Sequence, residues 1–300
     1  MTETKNNSLV LFENVSKNYG KNRALAELTF SIESGSVTAL AGPNGAGKST
    51  SLKLICGLLR YRGSALFHGR QIRSITDLEI VRAAYFLPED KELRPQSRVK
   101  EVLVEARELG GKRVDRKRLE SLCEELSVNA SLERRVRELT PGMRTALYLA
   151  VTLSTDAELY ALDEPLSGLD PILRTRVIGH MKELAIRDGK TVIYSTHILE
   201  EAEEAADRIV FMDRGRALFS GGVDEAKERY REIIADGKEA ETLRPGANGI
   251  LHVRRETNGV VRALAETSGI SLGHPGKSCP VSLRDLFLHL VEASREGGSR

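Results

Sequence analysis

The sequence of 300 residues has no tryptophan, only three cysteines and little excess of either charge. Each shortage excludes something. No apolar run approaches the ~20 residues that a membrane helix needs, so the chain is not expected to cross a bilayer. The amino terminus, MTETKNNSLV, is too polar for a secretory signal. Cys56, Cys123 and Cys279 are odd in number, far apart and without metal-ligand spacing. They predict reduced thiols in a cytosolic protein, with Cys56 packed in a core. Against 45 basic residues stand 43 acidic ones, a formal net charge of +2, which gives no case for a nucleic-acid surface. His68, His180, His252 and His289 each stand alone and are read as ordinary surface or core residues. The length suits one large or two modest domains with a buried core.

What the chain does have is a phosphate-binding pattern. Gly42-Pro43-Asn44-Gly45-Ala46-Gly47-Lys48-Ser49-Thr50 carries the G-x-x-x-x-G-K-[ST] spacing. An apolar run, Val37 to Leu40, precedes it, and Leu52, Ile55 and Leu59 follow at helical spacing. Strand, glycine loop and helix in that order form a P-loop. The glycines let successive backbone N–H groups turn onto an anion, and the helix aims its positive end at the same point. Lys48 then reaches the β- and γ-phosphates, and Ser49 supplies an oxygen to Mg²⁺.

Around this loop the pattern is α/β. Short strands are predicted at Leu9 to Phe12, Leu28 to Ile32, Ala65 to Phe67 and Ala83 to Leu87. Between about residues 97 and 154 helical spacing takes over, as in Val99, Val102, Leu103 and Ala106. Strands return at Leu159 to Leu162 and Thr191 to Tyr194, with a helix through Ile178, Met181 and Leu184 between them. A hairpin is predicted over 209–219. Beyond it the pattern predicts a charged helix from Glu225 to Ile234, a polar linker over 235–248, a strand at 250–253, a helix at 260–265 and a final amphipathic helix at 282–293. No internal repeat is present.

A second constellation lies far from the first. Leu159-Tyr160-Ala161-Leu162-Asp163-Glu164 is an apolar strand ending in two carboxylates. Phosphoryl transfer needs a carboxylate to hold Mg²⁺, a task that suits Asp163. It also needs a base to orient the attacking water, a task that suits Glu164.

With these two motifs in order, the chain resembles the ATP-binding-cassette (ABC) ATPases from about residue 8 to 220. Ser167-Gly168-Leu169-Asp170-Pro171 is similar to the family's D-loop, and His197 in Ser195-Thr196-His197 to its switch histidine. Tyr19 stands where the family stacks an aromatic ring on adenine. Alone, His197 reads as structural and Tyr19 as a turn-flanking residue; the ordered set reverses both readings. The signature usually written LSGGQ is here Leu139-Thr140-Pro141-Gly142-Met143. In the family, the signature of one subunit closes over ATP on the P-loop of another. Thr140 keeps a hydroxyl and Gly142 an N–H, whereas Pro141 can donate nothing, so a weakened but usable signature is expected. Glu89 replaces the usual Q-loop glutamine. Within about 4 Å of phosphate it would cost on the order of 4 kcal/mol, so it should face Mg²⁺ or the lytic water. Glutamate here, with this form of signature, resembles the ATPase subunits of drug and polysaccharide exporters, as does Ser282 to Phe287, though packing alone explains that last match. Glu200, Glu201, Glu203 and Glu204 read as a solvated helix face.

The resemblance implies a P-loop NTPase of the ABC type, with a mixed-sheet core, an antiparallel β subdomain and a helical subdomain at about 91–154. Residues 1–220 would form the ATP-binding domain and 221–300 a small α+β extension. It implies ATP hydrolysis with Mg²⁺ by Lys48, Glu164 and His197, with nucleotide held by Tyr19, residues 42–50, Thr140 and Gly142. Ser49, Asp163 and Glu89 would serve the metal. The expected partners are a membrane permease, contacted through the Glu89 loop and the helical subdomain at the inner face of the cell membrane, and a second, identical or different, ATPase subunit. No nucleic acid is expected, and export is the favoured direction. A soluble ABC ATPase acting on ribosomes or nucleic acid is the alternative.

Overall fold

The computed structural model describes residues 8–72, 78–90, 93–110, 113–246, 249–257, 259–269 and 276–297. The chain begins with a hairpin of two long strands, β1 (Ser8–Tyr19) and β2 (Asn22–Glu33), then enters the core with β3 (Val37–Ala41). The P-loop leads into α1 (Lys48–Ile55), shorter than the apolar spacing predicts: Cys56 caps it and Leu59 lies outside. There follow β4 (Arg62–Phe67), β5 (Arg70–Gln71), α2 (Leu78–Ala83) and β6 (Ala84–Leu87). The helical region contains α3 (Val99–Gly110), α4 (Arg116–Glu125) and α5 (Pro141–Ser154). Next come β7 (Leu159–Leu162), α6 (Pro171–Ile186), β8 (Thr191–Thr196), α7 (Leu199–Ala205) and the hairpin of β9 (Arg208–Asp213) and β10 (Arg216–Gly222). The remainder is α8 (Val223–Arg229), β11 (Tyr230–Ala235), α9 (Gly237–Ala240), β12 (Ile250–Arg255), β13 (Val261–Glu266), β14 (Lys277–Pro280) and α10 (Leu283–Gly297).

The central sheet has the order β10-β9-β3-β8-β7-β6. Its strands β9, β3, β8, β7 and β6 run parallel, and only the β10 edge is antiparallel. All residues of β3, β7 and β8 are buried, as expected of strands covered on both faces. Because the strands are parallel, the segments leaving β3, β6, β7 and β8 emerge along one edge, where ligands of open α/β sheets bind. A second sheet, β2-β1-β4-β5, is antiparallel and packs Phe12, Leu28 and Ile32 over α1. In the helical region, Val99 and Leu103 of α3, Leu119 and Leu122 of α4 and Leu147 and Leu153 of α5 share one core. Asp115 caps α4, accepting from Lys117 N at 2.9 Å and Arg118 N at 3.1 Å.

The carboxyl-terminal part departs from the sequence-based expectations. The predicted helix over 225–234 is split: α8 ends at Arg229, and Tyr230–Ala235 is strand β11. The predicted helix over 260–265 is strand β13, hydrogen-bonded on one side to β12 and on the other to β11. Two ladders outweigh the helical preference of Ala263-Leu264-Ala265. Within the stretch read as a linker, Ala235, Ala240 and Leu243 are buried in a small core with Ile250 and Val261; positions 247 and 248 lie outside the described residues. This third sheet, β12-β13-β11-β14, is tied to the central one by α10. Leu283 and Leu286 enter the main core, and the Phe287 ring stands 5.3 Å from that of Phe211 on β9.

None of the four histidines stands alone. His68 pairs with Glu158 and His180 with Glu125. His252 on β12 and His289 on α10 are buried, with their Nδ1 atoms 2.9 Å apart. Burial first, and the charge of His289 second, hold His252 below its ordinary value of 6.5, against the opposing carboxylates of Glu296 and Glu292. An imidazole depressed in the folded state binds its proton more readily in the unfolded chain. Its contribution is therefore present above pH 6.5 and is lost as pH falls from there toward the folded pKa. The melting temperature should drop as pH falls below about 6.5, and less steeply in His252→Gln. Equal slopes for the two proteins would contradict this. Cys56 and Cys123 are buried, which pushes their thiols up to about 12 and about 11.

Candidate active site

The P-loop geometry follows from its glycines. Gly47 has φ 102°, a left-handed value, and a Cβ there would lie 2.7 Å from the Ala24 carbonyl oxygen. A Cβ on Gly42 would lie 2.2 Å from the Met212 carbonyl oxygen, so the turn out of β3 fits under β9 only as glycine. Ala46 is buried beneath the loop, its N–H donating to Pro43 O at 3.1 Å. The loop opens on a cavity of about 470 Å³ lined by Asn44, Gly45, Gly47, Lys48, Ser49 and Thr50, with Tyr19, Glu89 and Glu164 on its other walls.

The parallel sheet brings the downstream residues to the same place. Leu162 pairs with Tyr194 and Ala41 with Thr196, so the chain leaves β3, β7 and β8 at one level. Lys48 is buried, and its ammonium donates to the carbonyls of Gly42 at 2.7 Å and Pro43 at 3.2 Å. It lies 3.8 Å from Glu164 Oε1. Burial holds Lys48 below the ordinary lysine range, while the charges of Glu164, Asp163 and Glu89 oppose that shift. Ser49 Oγ donates to Asp163 Oδ1 at 3.0 Å. His197 Nδ1 lies 3.1 Å from both carboxylate oxygens of Glu164. Glu164 itself has φ 47°, a strained value for a side-chain-bearing residue, of the kind that persists where the surroundings enforce it. Tyr19 ends β1, 47% exposed, and lines the cavity, with the Lys17 ammonium 5.2 Å from its ring centre.

Three sequence segments thus converge on one cradle. The family model described as "ABC transporter" matches residues 25–167. A daunorubicin resistance ATP-binding protein of Streptomyces coeruleorubidus is 31% identical, over 95% of this chain and 96% of its own length.

The chain belongs to the ABC transporter family. A Nod factor export ATP-binding protein of Rhizobium etli is 35% identical over 70% of this chain and 67% of its own. A solved ATP-binding subunit of an ABC transporter superposes with a TM-score of 0.65 at 29% identity, covering 73% of this chain and 92% of that one. The chain is thus an ABC ATPase: it binds and hydrolyses ATP to power transport through a separate membrane component. Among the described residues no helix is long and apolar enough to span a membrane.

In this ABC ATPase, Thr140 and Gly142 do not line the P-loop cavity. Thr140 is exposed at the start of α5, its hydroxyl accepting from Met143 N at 3.3 Å. Pro141 is the first residue of that helix, where a missing N–H costs nothing internally. Gly142 packs on the D-loop: a Cβ there would lie 2.3 Å from Gly168 O.

Two residues take roles that local sequence does not signal. Ser195 is fully buried; its hydroxyl donates to Asp163 Oδ1 at 2.6 Å and accepts the Glu164 N–H at 2.8 Å. Only the register of β7 against β8 reveals this. Ser195→Ala would leave both groups short of a partner. Its kcat for ATP hydrolysis should fall by about tenfold or more with equilibrium ATP binding little changed; an unaltered kcat would rule out that support. Glu201 corrects the reading of the acidic run as solvated. Glu200, Glu203 and Glu204 are exposed, but Glu201 is buried against Thr196 and Arg174.

Proposed function

We propose that the cavity holds a magnesium-bound ATP, with Tyr19 against adenine, the loop of residues 42–50 around the phosphates and Lys48 on the β- and γ-phosphoryl oxygens. The donor set suits Mg²⁺. Ser49 Oγ and Asp163 Oδ1 are hard oxygens 3.0 Å apart, and no cluster of three metal-binding side chains occurs among the described residues. Mg²⁺ typically takes one or two protein oxygens and completes its shell with phosphates and water. Bound there, the ion would offset negative charge on the phosphoryl oxygens. Glu89, on the cavity wall, would hold a water of that shell or the attacking water.

Glu164 is the proposed base, accepting a proton from the attacking water, and His197 Nδ1 orients its carboxylate from 3.1 Å. The observation that carries this reading is the meeting of Lys48, Ser49, Asp163, Glu164 and His197 from the ends of β3, β7 and β8. Thr140 and Gly142 would cover the nucleotide on a second ATPase subunit, identical or not, so that ATP closes the dimer and hydrolysis reopens it. Residues 1–220 would form the cassette, with its helical subdomain at about 91–154, and 221–300 an accessory element docked through α10.

The permease would meet the Glu89 loop and the helical subdomain, placing the protein at the cytoplasmic face of the membrane. Export is the proposed direction, because the drug-resistance and Nod factor relatives are named for resistance and export. Co-purification with the companion membrane chain tests this: ATPase activity should rise in vesicles that contain the permease. Stimulation by nucleic acid or ribosomes instead would overturn the transport assignment for this site.

A further inference from the structure

Glu201 is buried at the start of α7, and its contacts surround the residue that faces Glu164. Its Oε2 accepts from Thr196 Oγ1 at 2.8 Å, and its Oε1 lies 3.2 Å from the Arg174 guanidinium. Its main-chain carbonyl accepts from the Tyr194 hydroxyl at 3.2 Å. The Thr196 hydroxyl in turn accepts the N–H of Ile198 at 3.0 Å. These bonds hold the chain on both sides of His197. On the other side, Arg174 lies one turn into α6, and its N–H donates to Asp170 O at 2.9 Å. Asp170 caps α6 through Ile172 N and Leu173 N and ends the loop on which Gly142 packs.

The contacts therefore run without a break from the Ser167–Asp170 loop through Arg174, Glu201 and Thr196 to His197 and Glu164. Burial raises Glu201 above the ordinary carboxylate range, opposed by Thr196 and Arg174. A buried carboxylate is costly unless it is paired and hydrogen-bonded, and Thr196 and Arg174 supply both here.

We propose that Glu201 is a positioning residue for ATP hydrolysis, setting His197 against Glu164 and tying that setting to the helix that begins after Asp170. The inference rests on the roles proposed above for Glu164 and His197. A movement of α6 when two subunits close would reach His197 through Arg174 and Glu201, so that the base is aligned only in the closed pair. A side-chain network of this kind transmits position because each member is bonded on both sides.

Glu201→Gln keeps an acceptor for Thr196 and removes the charge facing Arg174. In the full chain, kcat should fall about tenfold while KM for ATP stays within about twofold. Arg174→Gln, altering a side chain 34% exposed, should give the same loss and serves if Glu201→Gln folds poorly. In a His197→Ala background, read by single-turnover hydrolysis, either substitution should cost less than about twofold further. Unchanged kcat in both variants overturns the proposal, as does an equal factor lost with and without His197. Wild-type turnover in His197→Ala alone would sink the proposed role of His197 and the positioning role with it, and that failure is recognised from the single variant.

Discussion

Glu164→Gln is expected to bind ATP as tightly as the wild type and to hydrolyse it about 10²–10⁴-fold more slowly, the range that a positioned general base contributes. The substitution keeps the size and both hydrogen-bonding atoms of the side chain, so the contact from His197 Nδ1 survives. What disappears is the capacity to take a proton from water. The loss should fall almost wholly on kcat, since the side chain faces the cavity from the end of β7 and the glycine loop of residues 42–50 is untouched. Lys48 would lose a carboxylate 3.8 Å away but keep the carbonyls of Gly42 and Pro43. With turnover blocked, ATP should hold two subunits together, so size-exclusion chromatography with ATP should show a dimer. Wild-type hydrolysis in this variant would remove Glu164 from the role of base.

How much of this could be read from the residues alone differs between parts of the molecule. The P-loop is legible because its chemistry is written in nine consecutive residues, with glycines where the backbone needs them and Lys48 and Ser49 where side chains act. Asp163 and Glu164 were legible because an apolar strand ending in two acids is also local. Ser195 was hidden: its partners are 31 and 32 residues away, and only the alignment of β7 with β8 brings them within 2.8 Å. The same holds for Glu201, whose three acidic neighbours are exposed while it alone turns inward. His252 and His289 meet across 37 residues because helix α10 packs on β12. Sequence alone points to a helix at β13 because Val-Arg-Ala-Leu-Ala-Glu has helix-forming residues, whereas partners on both sides decide its conformation. Local pattern thus served where the function is local, and failed where strands from distant segments must find their register.

Lys48→Ala is the complementary experiment, because it acts on the phosphate side of the cavity. Without nucleotide the Lys48 ammonium is held by the Gly42 and Pro43 carbonyls at 2.7 and 3.2 Å. Those acceptors belong to the same loop that would wrap the phosphates, so the lysine is kept at the mouth of the cradle. Its burial makes the bare charge costly, and three carboxylates around it make up part of that cost. A phosphate arriving there meets a desolvated cation, which strengthens a charge-assisted bond. Removing the amine should lower kcat by on the order of 10²–10³, as for loss of one preorganised donor to a developing negative charge. ATP binding should weaken as well, by about tenfold or more, from a bond of about 1.5–3 kcal/mol. The two variants then separate cleanly: Glu164→Gln retains nucleotide and loses turnover, whereas Lys48→Ala loses both. Isothermal titration with ATP, paired with phosphate release, distinguishes them. Undiminished affinity and rate in Lys48→Ala would mean that the triphosphate binds elsewhere.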